Sequence, residues 1–207
     1  MSLADTLATL QVSAAQCDRL IANAHQTDAA GVAVHPALDQ RQITVAAFLN
    51  LFMSWETFLE ESLTKLMAGI PTISGRIPVR YVMPPNVEAA RSLVIGINRY
   101  FDYGNHEYVR KIVRMYFDDG YPYEPHLSAI NSDLSDLRTM RNASAHITST
   151  TQAALESLAQ RIFSTPRPGI DLYSLLTTTD PRSARGNTVF AECSEKLLVV
   201  AGLVANG

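Results

Sequence analysis

Three polar residues that could carry chemistry lie close together in the segment LRTMRNASAH: Arg141, Asn142 and His146. The segment is predicted to be the end of an amphipathic helix, in which Asn142 and His146 share a flank because they are four residues apart. Arg141 falls in the middle of an apolar stripe made of Ile130, Leu134, Leu137 and Ser144. A guanidinium keeps its proton, so an arginine on a core-facing stripe needs a buried partner, a polar cleft or a subunit interface.

The second predicted helix has an acidic side chain on an equally apolar face. Its stripe consists of Val45, Phe48, Leu49, Phe52, Leu59, Leu63 and Leu66. Glu56 falls near the centre of this stripe, and Trp55, on the edge, is predicted to lie in the core. We therefore predict an ion pair between Glu56 and Arg141, which is either a structural tie between helices or a support for a catalytic Arg141.

Several familiar catalytic patterns are absent from the sequence. It has no HExxH motif, no Cys/His cluster with zinc spacing, no phosphate-binding P-loop and no serine nucleophile elbow. Cys17 and Cys193 are predicted to be separate thiols in a reducing compartment. Because these patterns are absent, the chain either catalyses a reaction without a metal ion or catalyses none. We predict neither a metal ion nor a cofactor.

Composition predicts an ordinary globular protein. The chain has 207 residues, of which 47% are hydrophobic and 18% charged, and we expect a single domain over 1–207. The net charge of −3 excludes a protein that coats nucleic acid generally, although a local basic patch is compatible with it. No apolar run approaches the roughly 20 residues of a membrane span, and the N-terminus does not resemble a secretory signal. We therefore expect a cytoplasmic protein that does not enter a membrane.

Apolar residues recur every three or four positions along most of the chain, which predicts an all-α helical bundle of about six to seven helices. The predicted helices span 3–26, 39–68, 86–103, 105–117, a motif helix ending near His146, 149–163 and 188–205, with a short turn at 170–176. The motif helix begins either at Pro125 or at the cap signals Asn131 and Ser132. Val79–Met83 is a weak strand candidate. The last helix is apolar nearly all round near its end, which suggests burial in the core or at a subunit contact.

The motif of Arg141, the polar Asn142 and His146 resembles the signature of the HEPN superfamily (higher eukaryotes and prokaryotes nucleotide-binding). The second helix, AFLNLFMSWETFLEESLTKLM, also resembles the long helix with a WExFLE-type run in HEPN proteins, including the group associated with RNA ligases and phosphatases. The resemblance covers 46–67 and 134–146. Two other Arg/His pairs fit the spacing, Arg19 with His25 and Arg99 with His106, but neither has a polar residue after the arginine.

The resemblance implies a function and partners. Many HEPN proteins are metal-independent endoribonucleases that act as homodimers with their two motifs facing one cleft, and some are toxins paired with an antitoxin protein or parts of defence systems. His146 would be the general acid or base, Arg141 would stabilise charge on the phosphate oxygens, and Asn142 would position the phosphate or the histidine. RNA would be cut by its own 2′-OH, leaving a 2′,3′-cyclic phosphate.

Residues 76–116 have a local excess of basic side chains interleaved with tyrosines. Seven basic residues stand against three acidic ones, and the candidates for RNA binding are Arg99, Arg110, Lys111 and Arg114. The alternative is that they are ordinary solvated residues on two helices. For the whole chain, the alternative is a non-catalytic HEPN-like bundle that binds nucleotide, RNA or a protein partner and uses Arg141 as a structural tie. In that case Asn142 is a surface residue and His146 merely complements the helix dipole.

Overall fold

The computed structural model describes residues 2–145 and 148–207, and its regular elements are helices, as predicted. The helices are α1 (Leu3–Ala24), α2 (Ala37–Met67), α3 (Val87–Ile95), α4 (His106–Tyr116), α5 (Glu124–Ala129), α6 (Asn131–Ala145), α7 (Ser149–Phe163), α8 (Leu172–Thr177) and α9 (Val189–Asn206). A 3-10 turn spans Asp118–Gly120. The predicted all-α class is confirmed, and the described residues contain nine α-helices where about six to seven were predicted.

The larger number of helices has two sources: the predicted short turn at 170–176 is helix α8, and the motif helix is divided; the third helix is also shorter than predicted. The motif helix is two helices, because α5 has Pro125 in its first turn and α6 begins anew after Ile130, whose φ of −113° and ψ of 25° are not helical. Both predicted starting points are therefore used. Helix α3 ends at Ile95 instead of Tyr103, because Gly96 takes a φ of 59° and its N–H bonds back to the Ser92 carbonyl.

The described chain divides into two compact units. The first unit comprises Met1–Gln11, Ser54–Leu134 and Leu197–Gly207, and the second comprises Val12–Met53 and Ser135–Lys196. Trp55 is 2% exposed and lies in the core of the first unit, as predicted. The expectation of one domain over the whole chain stays a prediction.

The core of the first unit is formed largely by residues from the middle of the sequence. Its fully buried large side chains include Phe58, Leu63, Leu66, Phe117 and Tyr123. The Tyr123 hydroxyl donates to Ser62 Oγ at 3.0 Å, so this buried phenol is satisfied. Gly69, with a φ of +90°, lies so close to Arg80 that a Cβ would come within 2.7 Å of the Arg80 Nη1 atom. That arginine in turn donates to the Met67 carbonyl at 2.8 Å, which fixes the end of α2.

The second unit has its own apolar core and an ion pair that joins two of its helices. The core includes Ala14, Phe48, Leu137, Leu158 and Leu175, each at most 2% exposed. At α8, Asp171 is the N-cap and accepts from the Ser174 N–H. Its carboxylate also pairs with Arg41 of α2 at 2.5 Å, which links the two helices.

Helix α9 is only partly buried along the stretch predicted to be apolar all round. Leu197, Val200 and Val204 are at most 4% exposed, whereas Val199 is 56% and Leu203 46% exposed. Among the described residues, no helix is both long enough and apolar enough to pass through a membrane.

Candidate catalytic site

Helix α6 buries three apolar residues and leaves Arg141 exposed. Leu134, Leu137 and Met140 are at most 4% exposed. The prediction that Arg141 lies on the core-facing stripe is therefore wrong. The predicted stripe left out Met140, which takes the buried position one residue earlier, and the long side chain at the last turns of α6 reaches water instead.

The polar groups around Arg141 come from its own helix. Its Nη1 donates to Asn142 Oδ1 at 3.4 Å, and Ser144 Oγ donates to the Arg141 carbonyl at 2.6 Å. Asn142 and Ser144 are half-buried. Within the described residues of the second unit, no carboxylate lies within salt-bridge distance of Arg141. The guanidinium thus keeps most of its hydrogen-bonding capacity for a ligand.

The predicted roles of His146 and Glu56 in the site stay predictions. His146 lies outside the described residues, and its role stays a prediction. Glu56 is half-buried in the first unit, and its predicted pairing with Arg141 also stays a prediction.

Helix α7 begins directly after the motif, with hydroxyl side chains at its N-terminus. Thr148 is the N-cap, where its Oγ1 accepts from the Thr151 N–H at 3.2 Å, and Thr151 Oγ1 accepts from the Thr148 N–H at 2.9 Å. This cap lies one residue before the predicted one. Ser149 and Thr150 are exposed, and the first turn has no acidic residue. The N-terminal end of a helix carries partial positive charge, so this turn is suited to an anionic group.

The histidines of the two rival Arg/His matches are engaged in the fold. His25 Nδ1 lies 2.8 Å from the Ile21 carbonyl, and its Nε2 lies 3.1 Å from the Tyr173 hydroxyl. The two rings are nearly parallel, with centroids 5.9 Å apart. His106 is 7% exposed at the start of α4, where its Nε2 lies 3.4 Å from Glu107. Both histidines therefore have contacts within the fold that account for their positions.

Arg110, a candidate for RNA contact, is engaged in ion pairs within the fold. Its Nη2 donates to Glu124 Oε1 at 2.7 Å, its Nη1 donates to Asn131 at 2.9 Å, and its side chain is 17% exposed. Arg114 also donates to Glu124. Burial raises the pKa of Glu124, but the hydrogen bonds from Arg110 and Arg114 outweigh it and hold the pKa below its ordinary value. Glu124 follows the basic segment in sequence, so counting charges over 76–116 missed it.

Arg99 and Lys111, by contrast, are exposed. Lys111 Nζ lies 5.7 Å from the centre of the Tyr108 ring. Of the four arginines and lysines predicted to bind RNA, these two keep an open guanidinium or ammonium group, and Arg114 is shared between Glu124 and water. The predicted basic surface is therefore smaller than its seven residues suggested.

A second polar cluster in the first unit was missed by the sequence analysis. Arg91 donates to Glu60 at 2.7 Å and to Glu61 at 3.1 Å, and Lys65, only 5% exposed, pairs with Glu61 at 2.9 Å. The spacing of Glu61 and Lys65, four residues apart on α2, was the available signal. Burial first, and then the charge of Glu60, raise the pKa of the Tyr103 phenol. The hydroxyl of Tyr103 is buried there, and no described residue forms a hydrogen bond with it.

No group of three or more His, Cys, Asp or Glu residues in the described part of the chain is arranged to hold a metal ion. No family model, curated protein or solved structure matches the chain. The likeness to the HEPN superfamily thus stays a prediction from the residues around Arg141 and in α2.

Proposed function

We propose that the protein is a metal-independent endoribonuclease of HEPN type that uses Arg141, Asn142 and His146. The observation that carries the proposal is the exposed Arg141 guanidinium, which no carboxylate of the described second unit neutralises. A structural arginine in a protein is normally paired, so an open one beside a polar Asn142 and ahead of a hydroxyl-rich helix start is suited to bind a phosphate.

The proposed reaction uses the substrate's own nucleophile. His146 takes the proton from a ribose 2′-OH, and the oxygen attacks the neighbouring phosphorus atom. The bond to the 5′-oxygen breaks, that oxygen takes up the proton that His146 removed, and the other product ends in a 2′,3′-cyclic phosphate. Arg141 donates to the non-bridging phosphate oxygens as their charge grows, and Asn142 positions the phosphate or the imidazole. Atoms and charge balance without any further reactant.

The resemblance extends the proposal to partners. We propose a homodimer in which the two motifs approach one another, with an antitoxin protein as a further partner and a role as a toxin or defence component. Arg99 and Lys111 remain candidates for contacts to the RNA backbone, because both are exposed.

Cleavage of a mixed-sequence RNA in EDTA tests the enzyme directly. We expect the whole chain to cut RNA and to leave cyclic phosphate ends, and we expect Arg141→Ala and His146→Ala each to lower the rate at least a hundredfold. Arg138→Ala, on the same helix, is the matched control and should cut at the parental rate.

Two outcomes would overturn the proposal. If the parent protein leaves RNA intact in EDTA but binds it, the chain is the alternative, non-catalytic bundle. If His146→Ala cuts as fast as the parent, the activity does not come from this motif.

A further inference from the structure

Two exposed tyrosines of the first unit each lie beside an exposed basic side chain. Tyr100 is 74% exposed and directly follows Arg99, which is also exposed. Tyr108, on α4, is 52% exposed, and the Nζ atom of the exposed Lys111 lies 5.7 Å from the centre of its ring. We call these four residues the tyrosine surface. Each of its two pairs presents an aromatic ring and a positive charge to the solvent.

The side chains of the tyrosine surface are not used to hold the fold. Apart from the contact between Lys111 and the Tyr108 ring, no described residue forms a hydrogen bond or an ion pair with any of these side chains. Tyr81, another exposed tyrosine of the first unit, differs because its hydroxyl donates to Asp118 Oδ1 at 2.7 Å. The tyrosine surface thus keeps its rings and its hydrogen-bond donors for a ligand.

The nearest acidic residues in the sequence do not neutralise the two cations. Asp102 accepts a hydrogen bond from a backbone N–H of its own turn, and Glu107 Oε1 lies 3.5 Å from Arg110 Nη1. No described carboxylate lies within salt-bridge distance of Arg99 or Lys111. An anionic ligand would therefore supply the counter-charges that the protein does not supply.

A buried turn joins the two tyrosine–cation pairs. Tyr103, Asn105 and His106 are each at most 8% exposed, so they anchor the chain between Tyr100 and Tyr108. These two tyrosines are eight residues apart, and eight residues of extended chain span at most about 28 Å. A strand of about eight nucleotides covers the same length, at about 3.4 Å for each stacked nucleotide. One strand can therefore contact both pairs.

We propose that the tyrosine surface binds single-stranded RNA, with bases stacked on Tyr100 and Tyr108 and phosphates bound by Arg99 and Lys111. Unpaired bases stack on aromatic rings whatever their sequence, and the phosphates beside them attract cations. A duplex fits this surface less well, because its bases are already stacked on one another. An acidic peptide would match the charges, but it has no flat rings to cover the tyrosines. The choice of RNA over DNA rests on the proposed function, whereas the stacking surface does not.

Fluorescence anisotropy of the whole chain with a labelled oligo-dT of about eight nucleotides tests the surface. This probe has no 2′-OH, so the proposed cleavage cannot consume it. We expect Tyr100→Ala and Tyr108→Ala each to raise the Kd at least about fivefold, and Tyr108→Phe, which keeps the ring, to stay within about twofold of the parent. Tyr81→Ala is the matched control, because Tyr81 is 59% exposed outside this surface, and it should bind like the parent.

The salt dependence of the Kd tests the two cations. Each phosphate contact with a single strand contributes about 0.7 to the slope of the logarithm of affinity against the logarithm of salt concentration. Arg99→Gln and Lys111→Gln should therefore each make this slope shallower by about 0.7. An unchanged slope in both variants would contradict phosphate binding by these side chains.

Three further results would overturn the inference. They are no binding of oligo-dT by the parent, binding that Tyr100→Ala and Tyr108→Ala leave unchanged, and equal affinity for a duplex or for poly-glutamate of the same charge. The proposed function fails by a different result, because a chain that binds oligo-dT through these tyrosines yet leaves RNA intact in EDTA is no endoribonuclease. Conversely, a chain that cuts RNA but binds oligo-dT equally well without the tyrosines keeps the proposed function and loses this surface.

Discussion

Arg110 of the first unit and Arg141 of the second unit differ in what surrounds their guanidinium groups. Arg110 is 17% exposed and donates to Glu124 and Asn131, which lie on the next two helices. Arg141 is exposed and has a long 3.4 Å hydrogen bond to its neighbour Asn142. The first arginine ties helices together, whereas the second has no carboxylate partner among the described residues of its own unit. Position on a helix alone does not separate these two roles, because both residues lie on helices that bury apolar faces.

The surroundings of these two arginines indicate where function should be sought in this fold. In the first unit, carboxylates neutralise the arginines that help to hold it: Glu124 serves Arg110 and Arg114, and Glu60 and Glu61 serve Arg91. The described second unit offers Arg141 no such carboxylate. The exposure of Arg141 without such a carboxylate is the argument for the phosphate-binding role that we propose.

Removing the carboxylate of Glu124, which pairs with Arg110 and Arg114, should have the largest effect on stability. Glu124→Ala leaves Arg110 partly buried without its counter-charge, so we expect a loss of about 3 kcal/mol in the free energy of unfolding. Urea denaturation measures it. Glu195→Ala is the control, because its pair with Arg185 is far more exposed, and it should cost under about 1 kcal/mol. Similar losses in the free energy of unfolding for both variants would contradict the distinction between partly buried ion pairs that join helices and exposed ion pairs.

Truncating Arg110 and Arg141 in turn should have different effects on stability. Arg110→Ala should lower the free energy of unfolding by about 2 kcal/mol, because the Glu124 carboxylate then loses one of its two arginine partners and keeps only Arg114. Arg141→Ala should change it by less than about 0.5 kcal/mol, as expected for an exposed residue without a charged partner in its unit. Thermal unfolding of both variants beside the parent gives the two values. An Arg141→Ala loss as large as that of Arg110→Ala would make Arg141 a structural residue.

Acid should weaken the ion pairs that Glu124 forms with Arg110 and Arg114. Its folded pKa lies below the ordinary 4.5, so its ion pairs add stability that is fully present above that value and is lost as the pH falls through the folded pKa. We expect the stability of the parent to fall more steeply below about pH 4.5 than that of Glu124→Gln, whose side chain does not titrate. Urea denaturation from pH 7 down to pH 3 provides the measurement, and parallel curves would refute the role of Glu124.

Two buried tyrosines of the first unit should respond in opposite directions, with the smallest effects. Tyr123→Phe removes the bond to Ser62 and should cost about 1 kcal/mol. Tyr103→Phe removes a buried hydroxyl without a partner in the structure and should be neutral or stabilising by up to about 1 kcal/mol. Calorimetric melting distinguishes them, and a loss for Tyr103→Phe would show that its hydroxyl is bound.

The sequence predicted the long helices well because local signals determine them. Helices α1, α2 and α7 follow from apolar residues every three or four positions and from cap residues, and their ends lie within about two residues of the prediction. Helix α3 was predicted too long, because Gly96 lies inside an otherwise periodic run and its positive φ is not visible in the pattern. The two starts of the motif helix were visible as two cap signals, but the signals did not show that both would be used and would give two helices.

The candidate site was less predictable because side-chain partners come from distant parts of the chain. The sequence located Arg141 and Asn142 at the end of a helix correctly, yet it put Arg141 on the buried face that Met140 occupies. It assigned Arg110 to RNA because Glu124, its partner, lies beyond the basic segment. Exposure and ion pairing depend on packing between helices, which periodicity does not specify.

The rate of RNA cleavage in EDTA by Arg141→Ala, set beside that of Arg138→Ala, tests the central claim most directly. The account predicts that both variants unfold like the parent, that Arg138→Ala cuts like the parent, and that Arg141→Ala cuts at least a hundredfold more slowly. Equal cleavage by the two variants would contradict the account, because Arg141 would then contribute neither to the fold nor to the reaction.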